Sequence, residues 1–308
     1  MDFVRQISGS LTDRGERDSM EDYIIVTDSS ADMPKSYLKK HGVSCVSFKY
    51  TIDGVTYDND DEEASATFYQ KVRNKNMPTT SQINPEEARE HFEKLIGISR
   101  NILCLSFSSA LSGTCNSFMM AAKELMEENP GLNIRVIDTL AASMGQGLMV
   151  YKAIQLKEQG RSLEEVADYI EKHKFNFVHV FTVDDLDHLY RGGRLSKTAA
   201  MVGGMISLKP VLHVNNEGSL VNMFNVRGRK KSLHALVDYM EKTMGSYRDK
   251  NDIVFISHAD NEEDARYVAE EVKNRFGIEN IMINEIGPTI GSHTGPDVIA
   301  LFFMGENR

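Results

Sequence analysis

The sequence predicts an α/β protein of two domains: a parallel sheet in a three-layer α/β/α arrangement, then a mixed sheet in two α/β layers, with a ligand between them. Three observations lead there. The first half alternates short apolar runs with helical patterns, and such βαβ units require a parallel sheet covered by helices. The second half breaks that rhythm with "KPVLHVNNEGSLVNMFNV", two strand-like runs around a turn, which brings in antiparallel pairing. No flexible linker or internal repeat intervenes, so the domains, 22–175 and 176–308, are expected to pack closely and make a cleft. Residues 1–21 are polar and patternless and are read as an extension outside the fold.

In chain order, "DYIIVTD" is an apolar strand running into the loop "SSADMP", and "KSYLKKHG" is a helix closed by Gly42. "VSCVSFKYTIDGVTYD" predicts two short strands around the Asp53-Gly54 turn. A polar helix over 62–74 leads to the loop "NKNMPTTSQ", and Asn84-Pro85 starts the next helix as N-cap and first-turn proline. "NILCLSF", "SSALSGTCNSFMMAAKELMEE" and "NIRVID" give strand, long helix and strand. Beyond them, "SLEEVADYIEKH" carries a capping box from Ser162 to Glu165 and precedes the strand "VHVFTV". "LDHLYRGGRLSKTAAMVGGMI" is helical with a break at Gly192-Gly193. The hairpin, a helix, the strand "DIVFISH", a second helix and the strand "NIMINEI" follow, then the glycine-rich loop "IGPTIGSHTGP" and a last apolar run.

Composition narrows the function. With 308 residues, 41% hydrophobic and 26% charged, the chain can bury a sizeable core. A net charge of -10 argues against nucleic acid as a partner, because phosphate contacts need a basic face. Cys45, Cys104 and Cys115 are too widely spaced for a C-x-x-C metal pair. An odd cysteine count without a secretory segment points to a cytoplasmic location, and no apolar stretch is long enough to span a bilayer. Sixteen methionines and no tryptophan suit a methionine-rich core or a cavity for a flexible apolar ligand.

Common catalytic motifs are missing. "RGGR" and "VGGM" match neither a Walker loop nor G-x-G-x-x-G after a strand. There is no G-x-S-x-G elbow and no H-x-x-x-H metal spacing. What stands out is three hydroxyl-rich loops at strand ends in the βα half, "TDSSAD", "PTTSQ" and "SFSSALSGT", where parallel strands deliver ligand sites. Ser112 is placed to cap the long helix and Gly113 lets a ligand approach the backbone, so that helix start suits an anion.

The segments "VTDSSADMP", "PTTSQ", "SSALSGT", "VIDTLAASMGQG", "LYRGGRLSK" and "IGPTIGSHTGP", in that order, resemble the signatures of the DegV family of bacterial lipid-binding proteins. The likeness runs from about Tyr23 to Gly305. It implies a non-catalytic carrier that binds one long-chain fatty acid, without metal or other cofactor. It further implies presentation of the carboxylate to a separate ATP-dependent fatty acid kinase subunit, which makes an acyl phosphate for phospholipid synthesis. Carried over by position, Thr80 of T-S-Q and Ser112 of L-S-G-T hold the carboxylate, with Ser81, Gly113 and His293 beside them. The family's arginine falls on Arg191 or Arg194, with Arg191 favoured for the ligand mouth. Arg194, Lys197, Arg227 and Arg229 are then candidates for contact with the kinase or an anionic membrane surface. The chain departs from the usual pattern at Cys115, Gly228 and Asp297.

The chemistry agrees with that reading. A carboxylate accepts hydrogen bonds only, and hydroxyls, a backbone N–H and an imidazole supply donors. At about 0.8 kcal/mol per buried CH₂, a tail of ~15 methylenes contributes on the order of 12 kcal/mol gross, so the tail dominates affinity and the hydroxyls set orientation. Two alternatives use the same loops. One is a lipid or ester hydrolase built on Ser112 and His293, and the other a sugar-phosphate site.

Overall fold

A computed structural model describes residues 22–184, 186–196 and 208–308. The predicted extension, Lys197 and the run "KTAAMVGGMI" lie outside these residues.

The first sheet is parallel, in the order β2-β1-β6-β7. It comprises β1 (Ile24–Asp28), β2 (Ser44–Val46), β6 (Asn101–Ser106) and β7 (Asn133–Asp138). Its strands are apolar on both faces because helices cover both. Ile24 and Val26 of β1 pack with α3 (Pro85–Ile96) and α4 (Thr114–Glu128), while Ile25 packs with α5 (Met144–Glu158) and α6 (Leu163–His173). Capping boxes start two of these helices, Asn84 with Glu87 and Ser162 with Glu165. The expected three layers are present.

The second sheet is mixed, in the order β10-β9-β8-β13-β11-β12. It is built from β8 (Phe177–Thr182), β9 (Leu208–Val214), β10 (Leu220–Arg227), β11 (Val254–His258), β12 (Ile281–Glu285) and β13 (Ile299–Met304). Only β11 and β12 pair in parallel. Alternation along β8 divides its side chains: Val178 and Val180 face α8 (Arg229–Met244) and α9 (Glu262–Phe276). Phe177 and Phe181 face the other way, into the same cluster as Ile25, Leu103 and the α5 residues Met144 and Leu148. Helix α5 is thereby shared by both sheets.

A small antiparallel sheet, β4-β3-β5, sits beside the first. β3 (Lys49–Ile52) and β4 (Val55–Asp58) form the predicted hairpin, with Asp53 at φ 55° and Gly54 at φ 76° as that tight turn requires. Helices α1 (Lys35–Lys40) and α2 (Glu62–Arg73) flank it in sequence.

Five expectations change. The "VSCVSFKYTIDGVTYD" segment yields three strands, since Ser44–Val46 pairs with β1 as β2. Part of the "PTTSQ" loop is a strand, β5 (Thr79–Ser81), held by β3. The long helix begins at Thr114 with Gly113 in the cap position, so Ser112 stands one residue too early to be its N-cap. The "LDHLYRGG" helix is brief, α7 (Asp187–Arg191). Residues Pro288–Thr294 of the glycine-rich loop form a helix, α10, whose single glycine permits close packing: a Cβ on Gly291 would stand 2.6 Å from Tyr69 Oη.

Candidate functional site

The loops after the parallel strands face the inner side of the mixed sheet across a cavity of about 350 Å³. Most of its lining is apolar, including Phe107, Leu111, Phe181, Ile290 and Phe302. Its polar groups gather mainly where β5, the β6–α4 loop, α10 and the segment after α7 meet: Thr80, Gln82, Ser112, Gly113, Arg194 and His293.

Each position follows from local structure. Successive residues of an extended chain point to opposite sides, so Thr80 on β5 and Gln82 just past it line the cavity while Ser81 between them does not. Thr80 Oγ1 lies 2.8 Å from His293 Nε2 in a hydrogen bond. The imidazole is held by the small residues around it: a Cβ on Gly192 would stand 2.4 Å from His293 Nδ1. Burial, with the charge of Arg194 adding to it, pushes the His293 pKa down to about 4, so the ring is neutral at pH 7. His293 Nδ1 is buried without a partner among the described residues.

Ser112 Oγ donates to Thr114 Oγ1 at 3.0 Å and accepts from Thr114 N at 3.3 Å. Thr114 Oγ1 in turn accepts from Ile83 N at 3.1 Å, which ties the β6–α4 loop to the end of β5. The bare Cα of Gly113 faces the end of the exposed Gln82 side chain, where a Cβ would stand 2.3 Å from Oε1.

The two arginines differ. Arg191 at the end of α7 is exposed and lies outside the cavity lining, whereas Arg194 lines it. Arg194 Nε donates to Leu111 O at 3.1 Å and Nη1 to Gly192 O at 2.6 Å. Burial lowers its pKa, and no carboxylate is paired with it among the described residues. The sequence favoured Arg191 for the ligand mouth; in the structure Arg194, which follows the positive-φ turn at Gly193 (φ 73°), is the one that lines the cavity. Of the other surface candidates, Arg227 is exposed, while Arg229 is half-buried against Asp264 at 2.7 Å.

Pairing of Ser112 with His293 as a catalytic dyad is not formed. His293 Nε2 engages Thr80, and no carboxylate orients Nδ1. Three lining residues were not among the site candidates read from the sequence, although Gln82 and Ser143 lie within the signature segments. Gln82 follows Thr80 by strand alternation, and His179 hides inside the apolar strand β8. The third, Ser143, carries backbone strain at φ 52° and donates to buried Asp32 Oδ2 at 2.6 Å. Asp32 also accepts from Gly287 N at 2.9 Å, and burial raises its pKa to about 7. Asp297, at φ 63°, holds a conformation that favours glycine and binds Arg73 through both carboxylate oxygens, at 2.7 and 3.0 Å.

Comparison with known proteins places this architecture. A family model described as "Uncharacterised protein, DegV family" matches residues 23–306. The chain belongs to the DegV family. A DegV domain-containing protein of Clostridium perfringens is 44% identical over 291 residues, 94% of this chain and 99% of that one. A DegV family protein from Thermus thermophilus, described by its fatty acid binding, superposes with a TM-score of 0.81 at 32% identity, covering 92% of this DegV chain and 99% of the other. A stearic acid-binding protein from Eubacterium ventriosum gives a TM-score of 0.83 at 27% identity, over 92% and 99% of the two chains. Among the described residues of this DegV chain, no helix is long and apolar enough to cross a membrane.

Proposed function

We propose that this chain is a non-catalytic carrier that binds one long-chain fatty acid and presents its carboxylate to a separate ATP-dependent fatty acid kinase. The observation that carries the reading is a half-buried arginine, Arg194, at the polar end of a mostly apolar cavity, with no carboxylate partner among the described residues. A guanidinium partly withdrawn from water and aimed at a cavity favours an anion there, and a ligand carboxylate supplies one. Thr80, Ser112 and Gly113 stand beside it as further contacts, while neutral His293 positions the Thr80 hydroxyl. Apolar walls take the tail. The fatty-acid-binding relatives support the ligand class.

The carrier reading is tested by native mass spectrometry of the purified protein, then lipid extraction. One fatty acid per chain is expected. A protein that holds none and takes up none when it is supplied would end the reading. The kinase step is tested with a fatty acid kinase subunit and ATP: Ser112→Ala and Thr80→Ala are expected to lose more acyl phosphate formation than fatty acid binding. Undiminished turnover in the double variant would remove these hydroxyls from the site.

A further inference from the structure

The floor of the cavity holds a second polar station, away from Arg194. Strand register locates it. His179 on β8 pairs with Phe302 on β13, and Leu220 on β10 pairs with Val214 on β9. The β8–β9 register, carried one step on from Val180 opposite His213, sets Val214 beside His179. All four side chains line the cavity, so one rung of the sheet forms its floor and three of its members are apolar. The fourth is a histidine at 1% exposure.

That histidine is fixed in one tautomer. Nδ1 lies 2.9 Å from the carbonyl oxygen of Phe177, which can only accept, so Nδ1 carries the proton. Burial holds the ring neutral, its pKa well below the ordinary value. Nε2 is therefore an acceptor, and it is buried with no partner among the described residues. An apolar side chain of similar volume would fill this rung without that cost, which makes an unsatisfied acceptor in an apolar floor a feature to be explained. Ser143, two residues from the Gly145 that packs on the His179 ring, adds a hydroxyl to the same cavity.

Resting on the fatty-acid reading above, the geometry points to a ligand whose chain bears a hydroxyl group, donated to His179 Nε2: a hydroxy fatty acid rather than a plain one. A keto group or second carboxylate lacks the proton that this acceptor needs. The distance sets the position of the hydroxyl. From Val298, which lines the cavity as His293 does and precedes β13, to Phe302 an extended chain advances about 13 Å. An extended alkyl chain advances roughly 1.2 Å per bond, as an extended backbone does over its three bonds per residue. The carbons level with His179 therefore fall in the distal half of a long chain.

The test is the affinity of the full chain, stripped of lipid, for stearic, 10-hydroxystearic and 12-hydroxystearic acids. At least one hydroxy acid is expected to bind about 10-fold tighter than stearic acid, the worth of one buried hydrogen bond. His179→Phe is expected to abolish that preference, read as the ratio of hydroxy acid to stearic acid affinity within the variant. The ¹⁵N resonance of His179 Nε2 in the unaltered protein gives a second readout, expected to move with the hydroxy acid and not with stearic acid. Equal binding of all three, or a preference that survives His179→Phe, would overturn the inference and leave Nε2 to a water molecule. Failure to bind any of them would overturn the fatty-acid reading with it, so the two failures are told apart by stearic acid alone.

Discussion

Thr80 and His293, 213 positions apart in sequence, share a 2.8 Å hydrogen bond that closes the polar end of the cavity. The bond joins β5 to α10, and each partner is set by its neighbours: Thr80 by strand alternation, His293 by the bare Cα of Gly192.

Gly192 and Gly193 separate geometry from conformation. Alanine at Gly192, whose backbone is ordinary, is expected to displace the His293 ring and weaken fatty acid binding at least several-fold. Alanine at Gly193 meets nothing within 4 Å but must adopt φ 73°. It is expected to cost roughly 1 kcal/mol of stability and leave affinity unchanged. Thermal unfolding and ligand titration on the two variants check both outcomes.

Arg194→Gln tests the head group. A hydrogen bond to a charged group contributes about 1.5–3 kcal/mol, so fatty acid affinity should fall by roughly 10- to 150-fold. Binding of the corresponding fatty alcohol should hardly change. Equal losses for acid and alcohol would show that the arginine supports the cavity rather than the carboxylate.

Asp32 gives a pH dependence of known sign. Its carboxyl ionises at about 7 in the folded protein against an ordinary 3.8. The folded state therefore holds the extra proton between these values, and the stability this supplies is complete below the lower one and lost as pH rises through about 7. His293 acts oppositely: with a folded pKa of about 4 against 6.5, its contribution is present above 6.5 and lost as pH falls towards 4. Asp32→Asn isolates the first effect. Relative to this variant, the unaltered protein should lose stability steadily from pH 5 to pH 8, measured by denaturant unfolding. A constant difference would mean that Asp32 is ionised throughout.

Gly145→Ala probes the floor. A Cβ there would stand 2.0 Å from His179 Nε2 and would push the buried ring towards the cavity it lines. Overpacking of this kind typically costs 1–3 kcal/mol, seen as a lower denaturant midpoint, and the narrowed cavity should favour shorter acyl chains.

Much of this architecture is legible in the chain because its signals are local. The Asp53-Gly54 turn, the capping boxes at Asn84 and Ser162, and the apolar runs of β1 and β6 each depend on a few adjacent residues. Helix α5 escapes such reading: Met144 to Val150 are all buried, so no polar face marks a helical period. Helix α10 is hidden by its proline, its glycine and the glycines that cap it, which usually mark loops; here Gly291 allows close approach to Tyr69. At the site, ordered motifs singled out Thr80, Ser112 and His293, all of which line the cavity. Arg191 and Arg194 flank the same glycine pair and carry no local mark that tells them apart, and His179 resembles any other residue of an apolar strand.

Helix α5 also bears on how the chain comes apart. Its residues belong to one cluster that takes in Ile25 and Leu103 of the parallel sheet and Phe181, Phe255 and Phe302 of the mixed sheet. Neither sheet can release this helix without exposing its own inner face to water, so loss of one removes the support of the other. The protein should melt in a single cooperative transition, and either half expressed alone would present a raw apolar face and aggregate.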